Sequence, residues 1–237
     1  MNEFYQGYTV KSTHVVGRGF GPSPASLATP IVFVVDDDAS VRKSLELLVR
    51  REGWRSDTFA SAHEFLACPP AVVPNCLVLD ASLPGLNGLD LQKRVAIERP
   101  DTPIIFVTDR GDVPTTVQAI KAGAVEFLTK PFRDDLLLSA IQEALERSRF
   151  TLEQEAEMRV FRNRYASLSR RERQVMALVV SGLLNKQVGG ELGISEHTVK
   201  VHRGRMMQKM EANSLAHLMN MAVRLSVAAV PKAYRTS

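Results

Sequence analysis

The run Cys76-Leu77-Val78-Leu79 leads directly into Asp80, and this stretch most constrains how the chain can fold. An uninterrupted apolar run this short predicts a strand buried on both faces, the kind found in parallel sheets. Such a strand brings Asp80 to the carboxyl edge of the sheet, where open α/β sheets bind their ligands. Asp80 is therefore the first candidate for a reactive side chain.

The sequence around this run alternates between strand and helix patterns. Strands are predicted at 31–35, 54–59, 76–79, 103–107 and 125–129, of which 54–59 is half-polar. Helices begin near Ser40, Ser61, Asn87, Pro114 and Asp134. Alternating strands and helices predict βαβ units, and about 120 residues suit the flavodoxin-like strand order 2-1-3-4-5. The predicted fold class is α/β, a flavodoxin-like (βα)5 domain with a parallel sheet.

The C-terminal part of the chain has a purely helical pattern. Ser169 and Glu172 fit a capping box at the start of one helix, and a fourth helix follows Ser214. Between them, Gly193 marks a tight turn joining a short helix over 185–192 to a longer one over 196–210. Two helices joined by such a turn indicate a helix-turn-helix within an all-α four-helix domain.

The charge is divided unequally between the two halves. Residues 31–150 carry 14 Lys and Arg against 18 Asp and Glu, whereas residues 160–237 carry 13 Lys and Arg against 4 Asp and Glu. The basic half favours nucleic acid as a partner, although charge alone leaves a basic solvated surface as the alternative.

The sequence shows no sign of a membrane or secretory segment. No stretch reaches the ~18 apolar residues of a membrane span, and the N-terminus lacks an apolar signal-peptide core. Cys68 and Cys76 lack the spacing of a metal site, and we interpret both as small core residues rather than a disulfide. A cytoplasmic protein without a membrane partner is expected.

These patterns divide the chain into five parts. We expect a disordered arm over 1–29, the α/β domain over 30–148, a helical linker over 149–166, the helix-turn-helix domain over 167–230 and a tail over 231–237. The linker has a sparse apolar face, so a weak coiled coil and a solvated connector both stay open.

Acidic residues gather at the predicted carboxyl edge of the sheet. Asp36 and Asp37 follow the first strand, which neighbours the third strand and Asp80 in the order 2-1-3. Three carboxylates in close contact need a cation to stay ionised, and oxygen ligands with open positions suit Mg²⁺. Lys130 and Thr108, at the ends of the fifth and fourth strands, add a positive charge and a hydroxyl there.

Residues 31 to about 148 resemble the receiver domain of two-component response regulators. The resemblance rests on the ordered set Val35-Asp36-Asp37, Asp80 with Pro84 and Gly88 downstream, Thr108, and Phe127-Leu128-Thr129-Lys130-Pro131-Phe132. It implies that Asp80 accepts a phosphoryl group from a sensor histidine kinase. It also implies no enzyme activity beyond self-catalysed phosphotransfer and dephosphorylation.

The same resemblance implies a metal site and a switch. Mg²⁺ would be bound directly by Asp37, Asp80 and the backbone carbonyl of Ser82, and through water by Asp36. Lys130 would pair with the phosphoryl group, and the Lys130-Pro131 bond would be cis. Thr108 would move toward a phosphoryl oxygen while Phe127 turns inward. Phosphorylation would then release the basic domain, or it would form a homodimer of receivers through the fourth helix and fifth strand.

Three positions bear on how this site differs from its relatives. Asp109 stands where the family usually has a small residue, and we expect it to crowd the phosphoryl group or alter the relay. Ser82 and Arg110 occupy the positions that tune dephosphorylation in the family.

Residues 168 to about 225 resemble the LuxR-type helix-turn-helix of the FixJ/NarL class. The residues that carry this resemblance are Ser169, Arg171-Glu172-Arg173, Val175, Gly182, Asn185-Lys186, Leu192-Gly193-Ile194-Ser195, Thr198-Val199-Lys200-Val201-His202 and Lys209-Met210. The resemblance implies that the third helix lies in the major groove of promoter DNA.

Candidate DNA contacts follow from that placement. The base-proximal set is Lys200, Val201, Arg203 and Gly204. The phosphate candidates are Arg171, Lys186, Thr198, His202, Arg205 and Lys209. The second helix departs from its relatives at Gly189, Gly190 and Leu184, where relatives usually have alanine and a small polar cap, and we expect these changes to weaken it.

Two other functions remain open. Asp36-Asp37-Asp38-Ala39-Ser40 also fits the DxDx(T/S) pattern of haloacid-dehalogenase-like phosphatases, which form an aspartyl-phosphate on the first Asp. A DNA-binding protein independent of phosphorylation, with a vestigial receiver, is the other alternative. The complete acidic set and the helix-turn-helix favour a phosphorylation-controlled transcription factor over both.

Overall fold

The α/β domain follows the predicted alternation. The computed structural model describes residues 28–85, 88–109 and 111–225. Its strands are β1 (Ile31–Val35), β2 (Arg55–Phe59), β3 (Asn75–Asp80), β4 (Ile104–Thr108) and β5 (Glu126–Thr129). The helices between and after them are α1 (Ala39–Arg51), α2 (Ala62–Ala67), α3 (Gly88–Glu98), α4 (Val113–Lys121) and α5 (Asp134–Ala166). All neighbours pair in parallel in the order β2-β1-β3-β4-β5, so the predicted flavodoxin-like topology is confirmed.

Alternate side chains of the strands enter two apolar layers, one on each face of the sheet. Phe33 of β1 packs with Phe65 and Leu91 from the α2 and α3 side. Val34, one residue on, packs with Leu48 of α1 and Ile141 of α5 on the opposite side. β1, β3 and β4 are buried along their whole length, which agrees with their unbroken apolar sequences. The sheet is therefore covered on both faces, and its free carboxyl edge is where polar groups can meet.

The C-terminal domain is a cluster of four helices. These are α6 (Arg170–Val180), α7 (Asn185–Leu192), α8 (Glu196–Lys209) and α9 (Leu215–Arg224). The predicted capping box of Ser169 and Glu172 is present at the start of α6. Gly193 ends α7 with a φ of 65°, a left-handed conformation that glycine adopts without a steric penalty. The helix-turn-helix predicted from the sequence is thus α7 and α8 with their glycine turn.

The two domains are joined by one continuous helix. α5 runs for 33 residues, so the residues expected to form a linker are its second half. Leu137 and Ile141 pack under the sheet, whereas Phe161 is 3 % exposed and packs in the core of the C-terminal domain. The last turns of α5 are therefore part of that domain's core rather than a solvated connector.

Some expectations lie outside the described residues, namely the N-terminal arm over 1–27, the tail over 231–237 and the role of Arg110. Among the helices that the structure describes, none combines the length and apolarity of a membrane span. Both cysteines are free thiols. Cys76 is buried as expected, but Cys68 is partly exposed because it caps the end of α2.

Candidate functional site

Three carboxylates meet at the carboxyl edge of the sheet. Asp36 and Asp37 follow β1, and Asp80 is the last residue of β3, the strand paired with β1. One carboxylate oxygen from each residue lies within 4.8 Å of the other two. Asp36 and Asp80 are buried, whereas Asp37 is exposed. The parallel pairing of β1 with β3 is what brings residues so distant in sequence into one cluster.

The spacing of the cluster fits a small, hard cation. Mg²⁺ binds oxygen at about 2.0–2.1 Å, so opposite ligands of its octahedron lie about 4.2 Å apart. The three carboxylate oxygens all lie within 4.8 Å of one another, near enough to share one ion, and the exposed position of Asp37 leaves the cluster open to solvent. The donor set is all oxygen, which suits Mg²⁺ rather than a softer metal.

Lys130 joins two of the three acids. Its Nζ donates to Asp36 Oδ2 at 2.7 Å and to Asp80 Oδ2 at 2.8 Å. Burial lowers the pKa of the Lys130 ammonium, but the hydrogen bonds to both carboxylates outweigh burial and the net shift is upward. Burial is also the main influence on Asp36, and it raises the pKa of that carboxyl despite the bond from Lys130. Lys130 is thus a permanent cation at the acidic edge, and its bond to Pro131 is cis.

Backbone contacts hold the carboxylates in place. Asp80 Oδ1 accepts from the Ser82 amide at 2.7 Å, and Asp36 Oδ1 accepts from the Asp38 amide at 2.9 Å. Arg42 of α1 donates to the carbonyls of Asp36 and Asp37 at 2.7 and 3.0 Å. Sequence reasoning missed Arg42, because nothing distinguishes it from other helix arginines until α1 is packed against the sheet.

Thr108 is the last residue of β4, and Phe127 lies within β5, where it pairs with Phe106. Thr108 is fully buried, and its hydroxyl lies 3.0 Å from the Ser82 hydroxyl. Phe127 is partly buried, with its ring centroid 5.8 Å from that of Phe106. Asp109 is exposed just after β4. Thr108 and Phe127 therefore lie on the two strands beyond β3, and their part in a switch stays a prediction.

The second candidate site is the exposed side of α8. Val199 and Met206 are fully buried against the domain core, whereas Lys200, Val201, Gly204 and Arg205 are exposed. No heavy atom lies within 4 Å of a Cβ built on Gly204. His197, at the start of α8, is also exposed. This open surface, on the second helix of the helix-turn-helix, is suited to a DNA groove.

The other candidate DNA contacts differ in how freely they face solvent. Arg171 and Lys186 are exposed, whereas Thr198 and His202 are partly buried. Arg203 is also partly buried and donates to Asn185 Oδ1 on α7 at 3.0 Å.

Lys209, another of the phosphate candidates, is held by the protein itself. Its Nζ donates to Glu172 Oε2 at 2.7 Å and to the Ser167 carbonyl at 3.3 Å. Glu172 is buried, so this ion pair fixes the end of α8 against the start of α6. Lys209 therefore has a structural role, and its contact with a DNA phosphate stays a prediction.

Two of the unusual residues of α7 have structural explanations. A Cβ on Gly189 would lie 2.8 Å from the Ile194 carbonyl oxygen, so this glycine permits close approach in the turn. Leu184 offers no side-chain cap, but the Gln187 side chain accepts from the Leu184 amide at 2.8 Å. Gly190 faces open space, so neither a close contact nor a capping bond accounts for this glycine. The expected weakening of α7 therefore applies at Gly190.

Comparison with known families gives two matches along the chain. Residues 32–142 match the response regulator receiver domain, and residues 166–222 match the bacterial regulatory proteins of the luxR family. The first range contains the acidic edge, and the second contains α6 to α8 and most of α9. Both matches favour the phosphorylation-controlled transcription factor over a haloacid-dehalogenase-like phosphatase.

Individual relatives span both domains. Nodulation protein W of Bradyrhizobium diazoefficiens is 48 % identical over 212 residues, covering 90 % of this chain and 93 % of that protein. The transcriptional regulatory protein FixJ of the same species is 42 % identical, covering 81 % of this chain and 94 % of FixJ. Among solved structures, the response regulator StyR is 44 % identical with a TM-score of 0.74, covering 83 % of this chain and all of that one.

Proposed function

The chain belongs to the response regulators that join a receiver domain to a luxR-family DNA-binding domain, and it is a phosphorylation-dependent transcriptional regulator; from this premise we propose that Asp80 is its phosphoacceptor. The observation that carries the proposal is the double contact of Lys130 with Asp80 and Asp36 at the carboxyl edge of the sheet. A carboxylate nucleophile needs a cation beside it that can also hold the incoming phosphoryl oxygens.

We assign the metal to the acidic cluster. Asp37, Asp80 and the Ser82 carbonyl would hold Mg²⁺ directly, and Asp36 would act through water. When bound, Mg²⁺ supplies positive charge to the phosphoryl oxygens and to the three carboxylates.

The phosphoryl group comes from the phosphohistidine of a sensor histidine kinase. A carboxylate oxygen of Asp80 attacks phosphorus, the bond to the imidazole nitrogen breaks, and an acyl phosphate forms on Asp80. Lys130 holds a phosphoryl oxygen, because its ammonium already lies 2.8 Å from the Asp80 carboxylate. The self-catalysed transfer and the later hydrolysis both use this set of residues.

Thr108 and Phe127 carry the signal to the outer face of the receiver. The Thr108 hydroxyl moves from Ser82 to a phosphoryl oxygen, and Phe127 fills the space behind it. α4 exposes Val113, Val117 and Ile120 along one side, an apolar strip suited to a second copy of the chain. Phosphorylation thereby favours a homodimer that uses α4 and β5.

Dimerisation presents two copies of α8 to promoter DNA. The base-proximal set is Lys200, Val201, Arg203 and Gly204, and the phosphate contacts are Arg171, Lys186, Thr198, His202, Arg205 and Lys209. Two half-sites about one helical turn apart would then be bound together. The cation-rich C-terminal half supports this proposal through its attraction to the DNA backbone.

The phosphoacceptor is tested by trapping and mapping the adduct. The protein is incubated with Mg²⁺ and acetyl phosphate, reduced with borohydride, and sequenced by mass spectrometry. We expect the label on Asp80 and its loss in Asp80→Asn, whereas Asp38→Asn serves as the matched control. Label on Asp36, or DNA footprints that are the same for wild type and Asp80→Asn with acetyl phosphate, would overturn the proposal.

A further inference from the structure

One arginine of the recognition helix α8 is fixed by the preceding helix. Arg203 Nη1 donates to Asn185 Oδ1 at 3.0 Å, and both side chains are partly buried where α7 meets α8. Lys200, by contrast, reaches only the exposed Glu196 of its own helix. Among the described residues of the base-proximal set, Arg203 is therefore the one whose side chain is held by a helix other than α8, namely α7.

The position of Arg203 around the helix also separates it from that set. Successive residues are about 100° apart around an α-helix, and buried Val199 and Met206 define the inward direction of α8. On that scale Val201 and Gly204 lie about 150° from the inward direction, but Arg203 lies only about 50° from it. Arg203 is thus on the flank of α8 that borders α7, not on the surface that enters the groove.

A helix-turn-helix places the flank of its recognition helix close to a DNA strand, because the first helix crosses the backbone there. A guanidinium has five N–H donors, and Asn185 takes one of them. The remaining donors are held in a fixed plane, the arrangement that binds a phosphate through parallel hydrogen bonds.

We propose that Asn185 is a positioning residue for DNA binding, and that it holds Arg203 against a phosphate of the DNA backbone rather than against a base. The inference rests on the proposed DNA-binding function and changes the role of Arg203 within it. Contacts to phosphates increase affinity for every sequence equally, so base discrimination falls to the surface that Lys200, Val201 and Gly204 share.

The test uses the full-length protein treated with Mg²⁺ and beryllofluoride. The wild type first selects its preferred duplex from a random-sequence library. Fluorescence anisotropy then gives the Kd for that duplex and for a scrambled one at several salt concentrations. Asn185→Ala, Arg203→Ala, the double variant and Lys200→Ala are compared, after circular dichroism shows that each unfolds near the wild-type temperature.

We expect Arg203→Ala to weaken binding roughly tenfold on both duplexes, since a charged hydrogen bond is lost. The slope of log Kd against log salt should fall by about 0.9 for each Arg203 in the complex. Asn185→Ala should weaken binding roughly threefold on both duplexes, and the double variant should match Arg203→Ala. Lys200→Ala should reduce the preference for the selected duplex.

Two results would overturn the inference while leaving the proposed function intact. One is an Arg203→Ala protein that loses the preference for the selected duplex, because Arg203 would then contact a base. The other is a double variant whose loss is the product of the two single losses, because Asn185 would then act independently of Arg203. Failure of the treated wild type to select any duplex would instead overturn the proposed function itself.

Discussion

Lys209 Nζ, at the end of the recognition helix, lies 2.7 Å from Glu172 Oε2, a carboxylate that also accepts from the Ser169 amide. Glu172 is 3 % exposed, so a buried anion both closes the capping box of α6 and receives the cation of α8. The contact joins the first helix of the DNA-binding domain to the helix that would enter the groove. Lys209 thereby holds these two helices together.

Stability of the DNA-binding domain should depend on pH through Glu172. The hydrogen bond from Lys209 is the main cause of a lowered pKa of the Glu172 carboxyl in the folded protein. As pH falls below about 4.5, the Glu172 carboxyl of the unfolded chain therefore binds its proton before that of the folded chain. The stabilisation is present above that pH and is lost as pH falls through the folded pKa. Glu172→Gln should cost about 2 kcal/mol at pH 7 and flatten this part of the profile.

Thermal unfolding followed by circular dichroism from pH 7 down to pH 3 measures this effect. Glu196→Gln is the matched control, because Glu196 pairs with exposed Lys200 and contributes little. Parallel profiles for wild type and Glu172→Gln would contradict the prediction.

Magnesium should stabilise the receiver by binding the acidic cluster. If the Kd is about 1 mM, 10 mM Mg²⁺ raises the free energy of unfolding by about 1.4 kcal/mol. Asp37→Asn removes an exposed carboxylate of the cluster and should remove most of that increment. Asp38→Asn is the control, since Asp38 caps α1 and asparagine caps equally well.

The fluorescence of Trp54, the one tryptophan of the chain, follows receiver unfolding in urea with and without Mg²⁺. Equal Mg²⁺ increments in wild type and Asp37→Asn would show that the cluster is not the binding site.

Gly190→Ala should stabilise the DNA-binding domain. Beyond the adjacent backbone of α7, no heavy atom lies within 4 Å of the added Cβ, and alanine in a helix interior is favoured over glycine by about 1 kcal/mol. Gly193→Ala should do the opposite, because the residue has a φ of 65°. Thermal unfolding by circular dichroism ranks the three proteins, and a lower melting temperature for Gly190→Ala than for wild type would refute the prediction.

The last turns of α5 should prove essential to the DNA-binding domain. Phe161 is buried in its core, with the Arg224 guanidinium 5.1 Å from the ring centroid. Phe161→Ala should cost about 3–5 kcal/mol. Phe150→Ala, on the same helix but 64 % exposed, should change stability by less than about 0.5 kcal/mol.

The urea transition of the helical signal, compared with that of Trp54, separates the two domains. A Phe161→Ala protein whose helical transition coincides with that of Phe150→Ala would show that α5 is only a connector.

The residues of the acidic edge were accessible from the sequence because each is the neighbour of an apolar strand. Asp80 and Lys130 follow buried or partly buried strands, and the order of a five-stranded parallel sheet then places them together. Contacts between helices were not accessible in this way. The pairs Asn185 with Arg203 and Glu172 with Lys209 depend on how α6, α7 and α8 cross, and no periodicity encodes that.

The sequence by itself determined the two domains, the strand order and the set of acids, since hydrophobic periodicity and strand-end chemistry act locally along the chain. Tertiary structure decided which of the polar residues are available. In the folded protein Lys209 pairs with the buried carboxylate of Glu172, Arg203 donates to Asn185 of α7, and Phe161 packs in the core of the DNA-binding domain. These contacts depend on the burial of side chains by elements distant in sequence. Burial determines whether a charged side chain must pair within the protein or can contact a ligand.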